Sequence, residues 1–541
     1  MSEKQGNSLI KNAFILSGAA ILSKILGAFY QAFLYQQIGS AGVGIYMKGL
    51  YFYSMLLAIS ASGIPIAVSK MVAEERAAGR KDVAERIFSN SNKILGLLGG
   101  AFALLLFVFA PFIANNIYKD PRIIYVLQAM APAIFIVAIM GSIRGYFQGK
   151  ENMTPTGVSQ IIEQVVRVGF SVAITLFLIN SFKEIPVLDI VNGVAFGPFL
   201  GAVFSLLILL VYLYFDRKNT VAYKKIGEVD NWQITKRIII FALPVTLTAL
   251  LPTLLDVIGG IIIPNELIQL GYSSNLSDQL YGSFGGAVIT LTNLVVSVSA
   301  AFATSIVPAI SSSVGKGEVN EVVRKLKLSI KMIVLINIPA GIFLLVLGQP
   351  VLSLIFHDPE AFRILQFSFI MVLFIGLYHN TTGILQGIGK TYTPIISLII
   401  GLIADIILLK LLIQIPSVNI LAAPIAYTLG FMIAFGINYL VIRINIKHQL
   451  ELIKWLPKII VGSIIAVLAG GLIYYITFKS SSLLVSRTWA ELIGLIIASL
   501  VCGIIYLLFL IISKGLSREE AGSIPKLGGL VDRIYAVLEK K

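Results

Sequence analysis

Polar residues recur at helical spacing inside one apolar stretch of the sequence. Their intervals place all of them on one face of a helix: Thr156, Gln160, Glu163, Gln164, Arg167 and Ser171. Arg167 lies about 18 Å along a helix that begins at Pro155, because each residue advances a helix by about 1.5 Å. A charge at that depth of a membrane is costly unless it faces water or a partner. The pattern therefore predicts four substrate-binding residues: Gln160, Glu163, Gln164 and Arg167.

Two interpretations of the charges on this stripe stay open. Glu163 and Arg167 are four residues apart, so they can form an ion pair that only holds helices together. Alternatively, Arg167 binds an anionic substrate and Glu163 orients it. Lys24 adds a positive charge near mid-membrane, on a face that it shares with Ser17 and Gln31 at intervals of seven residues. The first half of the chain therefore suits an anionic ligand.

Two further basic residues are predicted to bind the same ligand. Lys48 lies a few residues inside an apolar run, where it either faces a cavity or extends to the outer surface. Arg144 begins the stretch RGYFQGKENMTP and is a candidate contact for an anionic head group at the inner mouth.

Carboxylates are prominent among the membrane-embedded charges of the second half. Asp256 lies in LPVTLTALLPTLLDVIGG, where Pro252 removes a backbone hydrogen bond and frees the carbonyl of Thr248. Asp405 lies inside a later apolar run. A broken helix beside carboxylates is typical of a Na⁺ or H⁺ site in a transporter. The alternative is that Asp405 pairs with Lys410 and that the prolines only bend the helix.

The composition places these charges in a membrane. Of the 541 residues, 57% are hydrophobic and 13% are charged, whereas about a quarter of a soluble protein is charged. Apolar runs of 20 or more residues recur, and each can cross a bilayer as a helix. We predict an all-α polytopic membrane protein with about fourteen helices, near 12–36, 43–69, 92–115, 122–147, 155–180, 187–215, 237–263, 279–310, 328–355, 361–387, 394–414, 419–442, 457–478 and 489–513.

No group of residues in the sequence has the pattern of a catalytic or metal site. There is one cysteine, Cys502, and the three histidines are scattered without metal-ligand spacing. We therefore predict that the protein is not an enzyme and has no metal site and no cofactor.

The distribution of Lys and Arg predicts the orientation. With the N-terminus inside, the inner segments carry 32 of these residues and the outer loops carry 6. Both termini are therefore predicted to be cytoplasmic. The net charge of +15 then reflects contact with anionic lipid head groups rather than nucleic-acid binding, because the basic residues are spread over eight inner segments.

The sequence repeats at an interval of 238 or 239 residues. RGYFQGKENMTP matches TGILQGIGKTYTP, and IYKDPRIIYVLQ matches IFHDPEAFRILQ. These matches indicate a duplicated six-helix unit whose copies enter the membrane in the same direction. The Gly and Thr-Pro residues of the motif favour a structural role at helix ends, with Thr as the N-cap. We predict an N-lobe at 1–216, a C-lobe at 237–443, two added helices at 457–513 and a cytoplasmic tail at 514–541.

Three segments resemble a known family: GIPIAVSKMVAE (63–74), IRGYFQGKENM (143–153) and SQIIEQVVRV (159–168). They resemble stage V sporulation protein B and its relatives, which are polysaccharide biosynthesis proteins in the superfamily of lipid II flippases and multidrug exporters. The resemblance implies a V-shaped, MATE-like transporter of the bacterial cytoplasmic membrane. It implies that an undecaprenyl-diphosphate-linked saccharide is flipped by alternating access, and that the last two helices form a groove for the lipid tail.

The resemblance also bears on single residues. In lipid II flippases, basic residues of helices 1, 2 and 8 hold the diphosphate. Lys24, in SKILGAFYQ, takes the place of one family arginine, whereas Tyr30 stands at a second arginine position. Helix 8, at 279–310, contains no Lys or Arg, so we expect Arg167 to compensate. We expect Lys24 and Arg167 to face one water-filled cavity between the lobes.

The same family has a Na⁺ site on helices 7, 11 and 12. Asp256, Asp405 and Thr428 are similar in placement to its ligands, although Gly401 stands where the family has an asparagine. The resemblance therefore implies a cation site at these three residues, with Na⁺ or H⁺ as the coupling ion.

These observations predict a flippase for lipid-linked oligosaccharides in peptidoglycan or envelope polysaccharide synthesis, with sporulation as one setting. The alternative is a cation-coupled exporter of drugs or other small molecules, which would need uncompensated carboxylates in its first lobe. A third hypothesis, a scaffold in an envelope-synthesis complex, does not account for the polar stripe. Expected partners are membrane lipids, the undecaprenyl-diphosphate-linked saccharide and envelope-synthesis enzymes, without nucleic acid.

Overall fold

The computed structural model describes residues 3–182, 184–218, 230–359, 361–446, 455–482 and 486–516. These ranges are almost entirely helical and contain no β-strand, which confirms the all-α prediction. The described part contains seventeen α-helices: α1 Glu3–Ala61, α2 Gly63–Ala77, α3 Lys81–Phe112, α4 Ile124–Gly149, α5 Thr154–Ser181, α6 Val187–Val194, α7 Gly197–Lys218, α8 Asn231–Gln269, α9 Ser274–Tyr281, α10 Ile289–Gly315, α11 Val319–Phe356, α12 Ala361–Ser368, α13 Met371–Gly387, α14 Thr393–Ile413, α15 Ala422–Ile446, α16 Leu456–Ser481 and α17 Arg487–Ile512.

The number of membrane spans is close to the predicted number. Within the described ranges, 12 helical segments are long and apolar enough to cross a membrane, or 13 if α12 and α13 count as one bent span. The first segment, Leu22–Ala77, has 56 residues and contains residues 22–36 of the first predicted helix and all of the second. Gly39 interrupts it with φ 66° and ψ 176°. Glycine adopts this left-handed φ without a Cβ clash, so the kink separates the two predicted helices.

The repeated motif has the same structural role in both copies. In α4, a Cβ on Gly145 would lie 2.5 Å from the carbonyl oxygen of Pro65 in α2. In α13, 238 residues later, a Cβ on Gly383 would lie 2.4 Å from the carbonyl oxygen of Ala303 in α10. Both glycines therefore allow two helix backbones to approach each other closely, which a larger residue would prevent.

The Thr-Pro pairs of the motif begin α5 and α14, as predicted from the sequence. Thr as the N-cap is wrong by one position, because Thr154 and Thr393 are the first helical residues. In the first copy, the side chain of Asn152 accepts a hydrogen bond of 3.2 Å from the Thr154 N–H. This bond satisfies one of the donors that every helix leaves unpaired in its first turn.

The contacts divide the chain into a first unit, Met1–Gly286, and a second unit, Ala287–Lys541. In the first unit, α1 packs against α4, α5, α8 and α9, and α4 packs against α2, α3 and α7. In the second unit, α13 packs against α10, α11 and α15, and the pair α16–α17 packs against α11. The predicted lobe boundaries stay a prediction, and most of the predicted cytoplasmic tail lies outside the described residues.

Candidate substrate site

Small residues of α7 bring this helix close to the charged part of α5. A Cβ on Gly201 would lie 2.5 Å from the carbonyl oxygen of Glu163, and a Cβ on Gly197 would lie 2.5 Å from the Ser171 hydroxyl. Ser205, one turn further along α7, donates a hydrogen bond of 2.9 Å to the Ser159 carbonyl. Helix α7 therefore covers one side of the polar stripe at close range.

Two arginines share the carboxylate of Glu163. Arg144 donates from Nη2 to Oε2 at 2.9 Å, and Arg167 donates from Nη2 to Oε1 at 3.4 Å. The ion pair that the sequence predicts between Glu163 and Arg167 is therefore present, but the shorter bond goes to Arg144. Two positive charges against one negative charge leave this group with a net charge of +1.

Arg144 is held by protein groups on several sides. Besides Glu163, its guanidinium donates to the hydroxyl of Ser159 at 3.0 Å and to that of Ser205 at 3.1 Å. Only 14% of its side chain is exposed. These contacts join α4, α5 and α7, so Arg144 has an evident structural role, and its predicted contact with a head group stays a prediction.

Arg167 lies among tyrosines of α1. Its guanidinium is close enough to Tyr30, Tyr46 and Tyr53 to interact with them electrostatically. The hydroxyls of Tyr30 and Tyr46 are 3.4 Å apart and form a hydrogen bond. The Nε of Arg167 has no hydrogen-bond partner among the described residues. Sequence reasoning missed the tyrosines as a group, although the seven-residue interval between Tyr46 and Tyr53 puts both on one face of a helix.

Lys24 is exposed and lies on the part of α1 that packs against α5. Gly27, one turn further, faces Gln164: a Cβ there would lie 3.3 Å from the Gln164 amide nitrogen. Gln160 and Gln164 are partly buried, and the side-chain oxygen of Gln160 has no partner in the described part of the chain. The structure therefore brings the Lys24 region of α1 to the polar stripe of α5.

Lys48 belongs to a separate four-charge cluster, formed by Lys48, Asp120, Arg122 and Asp278. Its ammonium lies 2.8 Å from Asp120 Oδ2 and 2.6 Å from Asp278 Oδ1. Arg122 bridges the same carboxylates, at 2.7 Å from Asp120 and 2.5 Å from Asp278. Lys48 is 2% exposed, so the interpretation that it extends to a surface is wrong. Its predicted contact with substrate stays a prediction, and two carboxylates already neutralise its charge.

Asp120 lies between the membrane-spanning segments Lys81–Tyr118 and Pro121–Gly149. Burial by itself would raise the pKa of this carboxyl. The hydrogen bonds and charges of Arg122 and Lys48 outweigh burial and hold the pKa of Asp120 below its ordinary value. The carboxyl is therefore ionised near neutral pH, as a four-charge cluster requires.

The residues predicted to bind a cation are distributed over both units. Asp256 lies on α8 of the first unit, whereas Asp405 and Thr428 are buried on α14 and α15 of the second unit. In that unit, a Cβ on Gly401 would lie 2.4 Å from the Gly430 carbonyl oxygen, so the residue in place of the family asparagine allows close packing. Among the described residues, no three His, Cys, Asp or Glu side chains form a metal-binding group. The cation site stays a prediction.

The helix of Asp256 is not broken, contrary to the sequence interpretation. Helix α8 runs without interruption from Asn231 to Gln269 and contains Pro244 and Pro252. In the turn that follows Pro244, the hydroxyl of Thr248 donates to the Pro244 carbonyl at 2.9 Å. A proline removes one backbone hydrogen bond without ending a helix when neighbouring helices support it, as in many membrane proteins.

A cavity of about 440 Å³ lies in the second unit, between α10, α11, α16 and α17. Its lining is predominantly apolar and includes Leu294, Phe343, Val467, Cys502 and Tyr506. The Tyr506 hydroxyl donates to the Leu335 carbonyl at 2.9 Å. This carbonyl has lost its usual partner because Pro339, four residues later, has no N–H. The two added helices therefore line an apolar cavity.

Many apolar helices with charged side chains enclosed between them define a multi-pass membrane protein. Residues 9–314 match the family described as polysaccharide biosynthesis protein, and residues 283–411 match the family described as MatE. The chain belongs to the polysaccharide biosynthesis protein family, because that match covers more than half of it.

Relatives with similar sequences cover most of the chain. Stage V sporulation protein B of Bacillus subtilis (strain 168) is 26% identical over 535 residues, which is 97% of this chain and 99% of the relative. Lipid II flippase MurJ of the same organism is 25% identical over 474 residues, which is 83% of this chain and 85% of the relative. Both matches bear out the resemblance to this family that the sequence motifs indicate.

Solved structures confirm the fold class. Lipid II flippase MurJ in an inward closed conformation has a TM-score of 0.64 and 16% identity, over 92% of this chain and 99% of that one. An inward-facing MATE family multidrug resistance transporter has a TM-score of 0.65 and 14% identity, over 78% of this chain and 94% of that one. The protein therefore has a MATE-like fold.

Proposed function

We propose that this protein flips a lipid-linked oligosaccharide, carried on a polyprenyl diphosphate, across the bacterial cytoplasmic membrane. Both termini are then cytoplasmic, in agreement with the distribution of basic residues. The names of two relatives, a lipid II flippase and a sporulation protein, support a role in envelope synthesis. Envelope-synthesis enzymes and membrane lipids are the partners that this role implies.

One observation carries the choice of an anionic ligand. Glu163 accepts its shorter hydrogen bond from Arg144, the Nε of Arg167 has no partner among the described residues, and the group of two arginines and one carboxylate keeps a net positive charge. A diphosphate provides dense negative charge that a guanidinium binds through paired hydrogen bonds. Lys24, which is exposed on the neighbouring part of α1, provides a second positive charge for the same ligand.

The apolar cavity of the second unit suits the lipid tail. Its volume of about 440 Å³ lies within the range of small-molecule sites, and its walls include both added helices. Cys502, the only cysteine in the chain, is one of the lining residues. We expect undecaprenyl diphosphate to slow alkylation of Cys502 by a membrane-permeable maleimide, whereas a short-chain soluble diphosphate should not. Equal rates with and without the long-chain lipid would place the tail elsewhere.

The charge assignment can be tested by comparing two arginine variants. Arg167→Gln should reach normal abundance in the membrane but lose flipping, because it removes the charge assigned to the ligand. Arg144→Gln should mainly lower abundance, because it breaks contacts that join three helices. Exchanging Glu163 and Arg167 should not restore function, since the exchange places an arginine beside Arg144.

The readouts are growth of cells depleted of their lipid II flippase and flipping of a fluorescent polyprenyl-diphosphate sugar in proteoliposomes. An abundant and fully active Arg167→Gln protein would remove Arg167 from the site.

The second candidate function is export of cationic small molecules, which the fold of the MATE transporter and the buried Asp405 favour. Efflux of ethidium by the wild-type protein, together with absence of lipid flipping, would support that alternative.

A further inference from the structure

The first part of helix α8 packs antiparallel against α2 in the first unit. Where α2 ends and α8 begins, Arg237 donates from Nη2 to Glu74 at 2.7 Å and from Nη1 to Glu75 at 3.3 Å. We call these three residues the Arg237 group. Nearer the start of α2, a Cβ on Gly63 would lie 2.3 Å from the Ala242 carbonyl oxygen, so the two helix backbones touch. The α2–α8 contact is thus closed by an ion-pair group at one end.

The Arg237 group can open without leaving a buried charge unpaired. The side chains of Arg237 and Glu74 are 55% and 42% exposed, so water solvates both of them when they separate. The side chain of Glu75 is only 7% exposed, but it keeps a second partner, because Arg80 donates to it at 2.6 Å. Exposed ion pairs contribute little to stability. Separation of α8 from α2 at this end therefore costs little.

The next helix, α9, is held on α1 by a contact of the opposite kind. Its Asp278 belongs to the four-charge cluster, where Lys48 lies at 2.6 Å and Arg122 at 2.5 Å. Asp278 is 1% exposed, so departure of α9 would deprive a buried carboxylate of both partners. A Cβ on Gly44 of α1 would lie 2.3 Å from the Asp278 carbonyl oxygen, so these backbones touch as well. Breaking a buried charge contact is much costlier than breaking an exposed one.

Pro244 provides a point at which the first part of α8 can move. A proline has no N–H, so the Ile240 carbonyl lacks its usual helical partner. Helices bend most readily at such positions. The part of α8 before Pro244 contains both Arg237 and Ala242, whereas the part after it leads to α9 and the four-charge cluster.

We propose that the Arg237 group is a gate contact: the first part of α8 separates from α2 there, while the four-charge cluster keeps α9 on α1. The contact lies on the predicted cytoplasmic side, so its opening admits water between α2 and α8 from that side. The inference concerns a movement and not a ligand. It therefore applies equally to a lipid flippase and to an exporter.

The test measures how fast two buried cysteines react with a membrane-impermeant maleimide. Full-length protein is placed in nanodiscs, where both faces of the membrane are accessible, and Cys502→Ala removes the native cysteine. Ala242→Cys reports on the α2–α8 contact, and Ser277→Cys, next to Asp278, reports on the α1–α9 contact. Ala242 is 3% exposed and Ser277 is fully buried. Size exclusion isolates the folded fraction, and reaction after denaturation gives the total amount of each thiol.

We expect Arg237→Gln to accelerate the reaction of Ala242→Cys about fivefold, which corresponds to about 1 kcal/mol, and to leave Ser277→Cys unchanged. Arg237→Lys, which keeps the charge, should remain closer to the parent protein. The matched control is Arg324→Gln, at an exposed ion pair between Arg324 and Glu321 of one helix. It removes the same charge but should change neither rate, because that pair does not join two helices.

A salt titration tests the same contact without substituting Arg237. Raising KCl from about 0.1 M to about 1 M shortens the screening length from about 10 Å to about 3 Å, which weakens exposed pairs more than buried ones. The reaction of Ala242→Cys should therefore accelerate with salt, whereas that of Ser277→Cys should not. In the Arg237→Gln background this acceleration should disappear.

Three results would overturn the inference. One is an unchanged rate at Ala242→Cys in folded Arg237→Gln protein; if that variant does not fold, an absence of salt dependence in the parent protein decides in the same way. Another is an equal acceleration at both cysteines, since the four-charge cluster would then open together with the Arg237 group. The third is an effect of Arg324→Gln as large as that of Arg237→Gln. None of these measurements involves a ligand, so each of these failures leaves the proposed function standing.

Discussion

Replacing Lys48 by methionine should destabilise the protein far more than removal of an ordinary surface lysine. The ammonium of Lys48 lies within 2.8 Å of one carboxylate and 2.6 Å of another, and both carboxylates are almost fully buried. Methionine keeps most of the side-chain volume but leaves two buried negative charges against the single positive charge of Arg122. Removing one partner of a buried ion pair costs about 3–5 kcal/mol. We expect a loss of this size for Lys48→Met.

A double variant tests whether removing one negative charge compensates for the loss of the Lys48 charge. Lys48→Met together with Asp278→Asn returns the cluster to neutrality, with Asp120 and Arg122 still paired at 2.7 Å. The double variant should therefore lose less stability than the sum of the two single variants. Lys70→Met is the control, because Lys70 is 51% exposed and lies 3.8 Å from Glu74. A surface pair of this kind contributes about 0–1 kcal/mol.

The assay is thermal unfolding of the purified variants in detergent, together with their abundance in membranes. The expected order of stability is wild type and Lys70→Met highest, the double variant intermediate and Lys48→Met lowest. A Lys48→Met protein as stable as Lys70→Met would show that the four-charge cluster contributes nothing. A double variant that loses the full sum of the single effects would show that the charges do not compensate one another.

Two further predictions concern single carboxylates. Folding lowers the pKa of Asp120 below its unfolded value of about 3.9, so the ionised carboxylate stabilises the folded protein. This stabilisation is fully present above about pH 3.9 and is lost as the pH falls through the pKa of the folded state. The difference in melting temperature between wild type and Asp120→Asn should therefore be constant near neutral pH and shrink in acid; a difference that grows in acid would contradict this. Asp405→Asn should remove the dependence of flipping on a Na⁺ or H⁺ gradient, measured in proteoliposomes, whereas the control Asp189→Asn, at an exposed carboxylate, should retain it. Unchanged gradient dependence in Asp405→Asn would exclude that residue from coupling.

Structural features that depend on residues close together along the chain can be predicted from the sequence. The length of the apolar runs predicts the helices, and the helical period predicts the polar face of α5. The pair Glu163–Arg167 follows from an interval of four residues. In contrast, the bond from Arg144 to Glu163 joins residues 19 apart on different helices. The close approach of α7 to Glu163, which Gly201 permits, is likewise not predicted by any local pattern.

Charges near predicted loops are poorly predicted by the sequence. Asp120 and Asp278 lie at the ends of apolar runs, where a carboxylate is ordinarily solvated. The structure buries both, at 5% and 1% exposure, because Lys48 and Arg122 neutralise them. Their partners are as many as 230 residues away in the sequence. Burial of a charge depends on such distant partners, so hydrophobicity along the chain could not predict this cluster.

The predicted duplication accounts for two proposed sites of opposite charge in one fold. Helices α5 and α14 are copies that both begin with Thr-Pro, at Thr154 and Thr393. Arg167 lies 13 residues after the start of α5, and Asp405 lies 12 residues after the start of α14, so both are about 18–20 Å along their helices. The motif residues that start and pack these helices are retained in both copies, whereas the charge at this depth has changed sign. Substitution at one depth, on a helix whose packing is already secured, would therefore be sufficient to give one copy the proposed anion site and the other the predicted cation site.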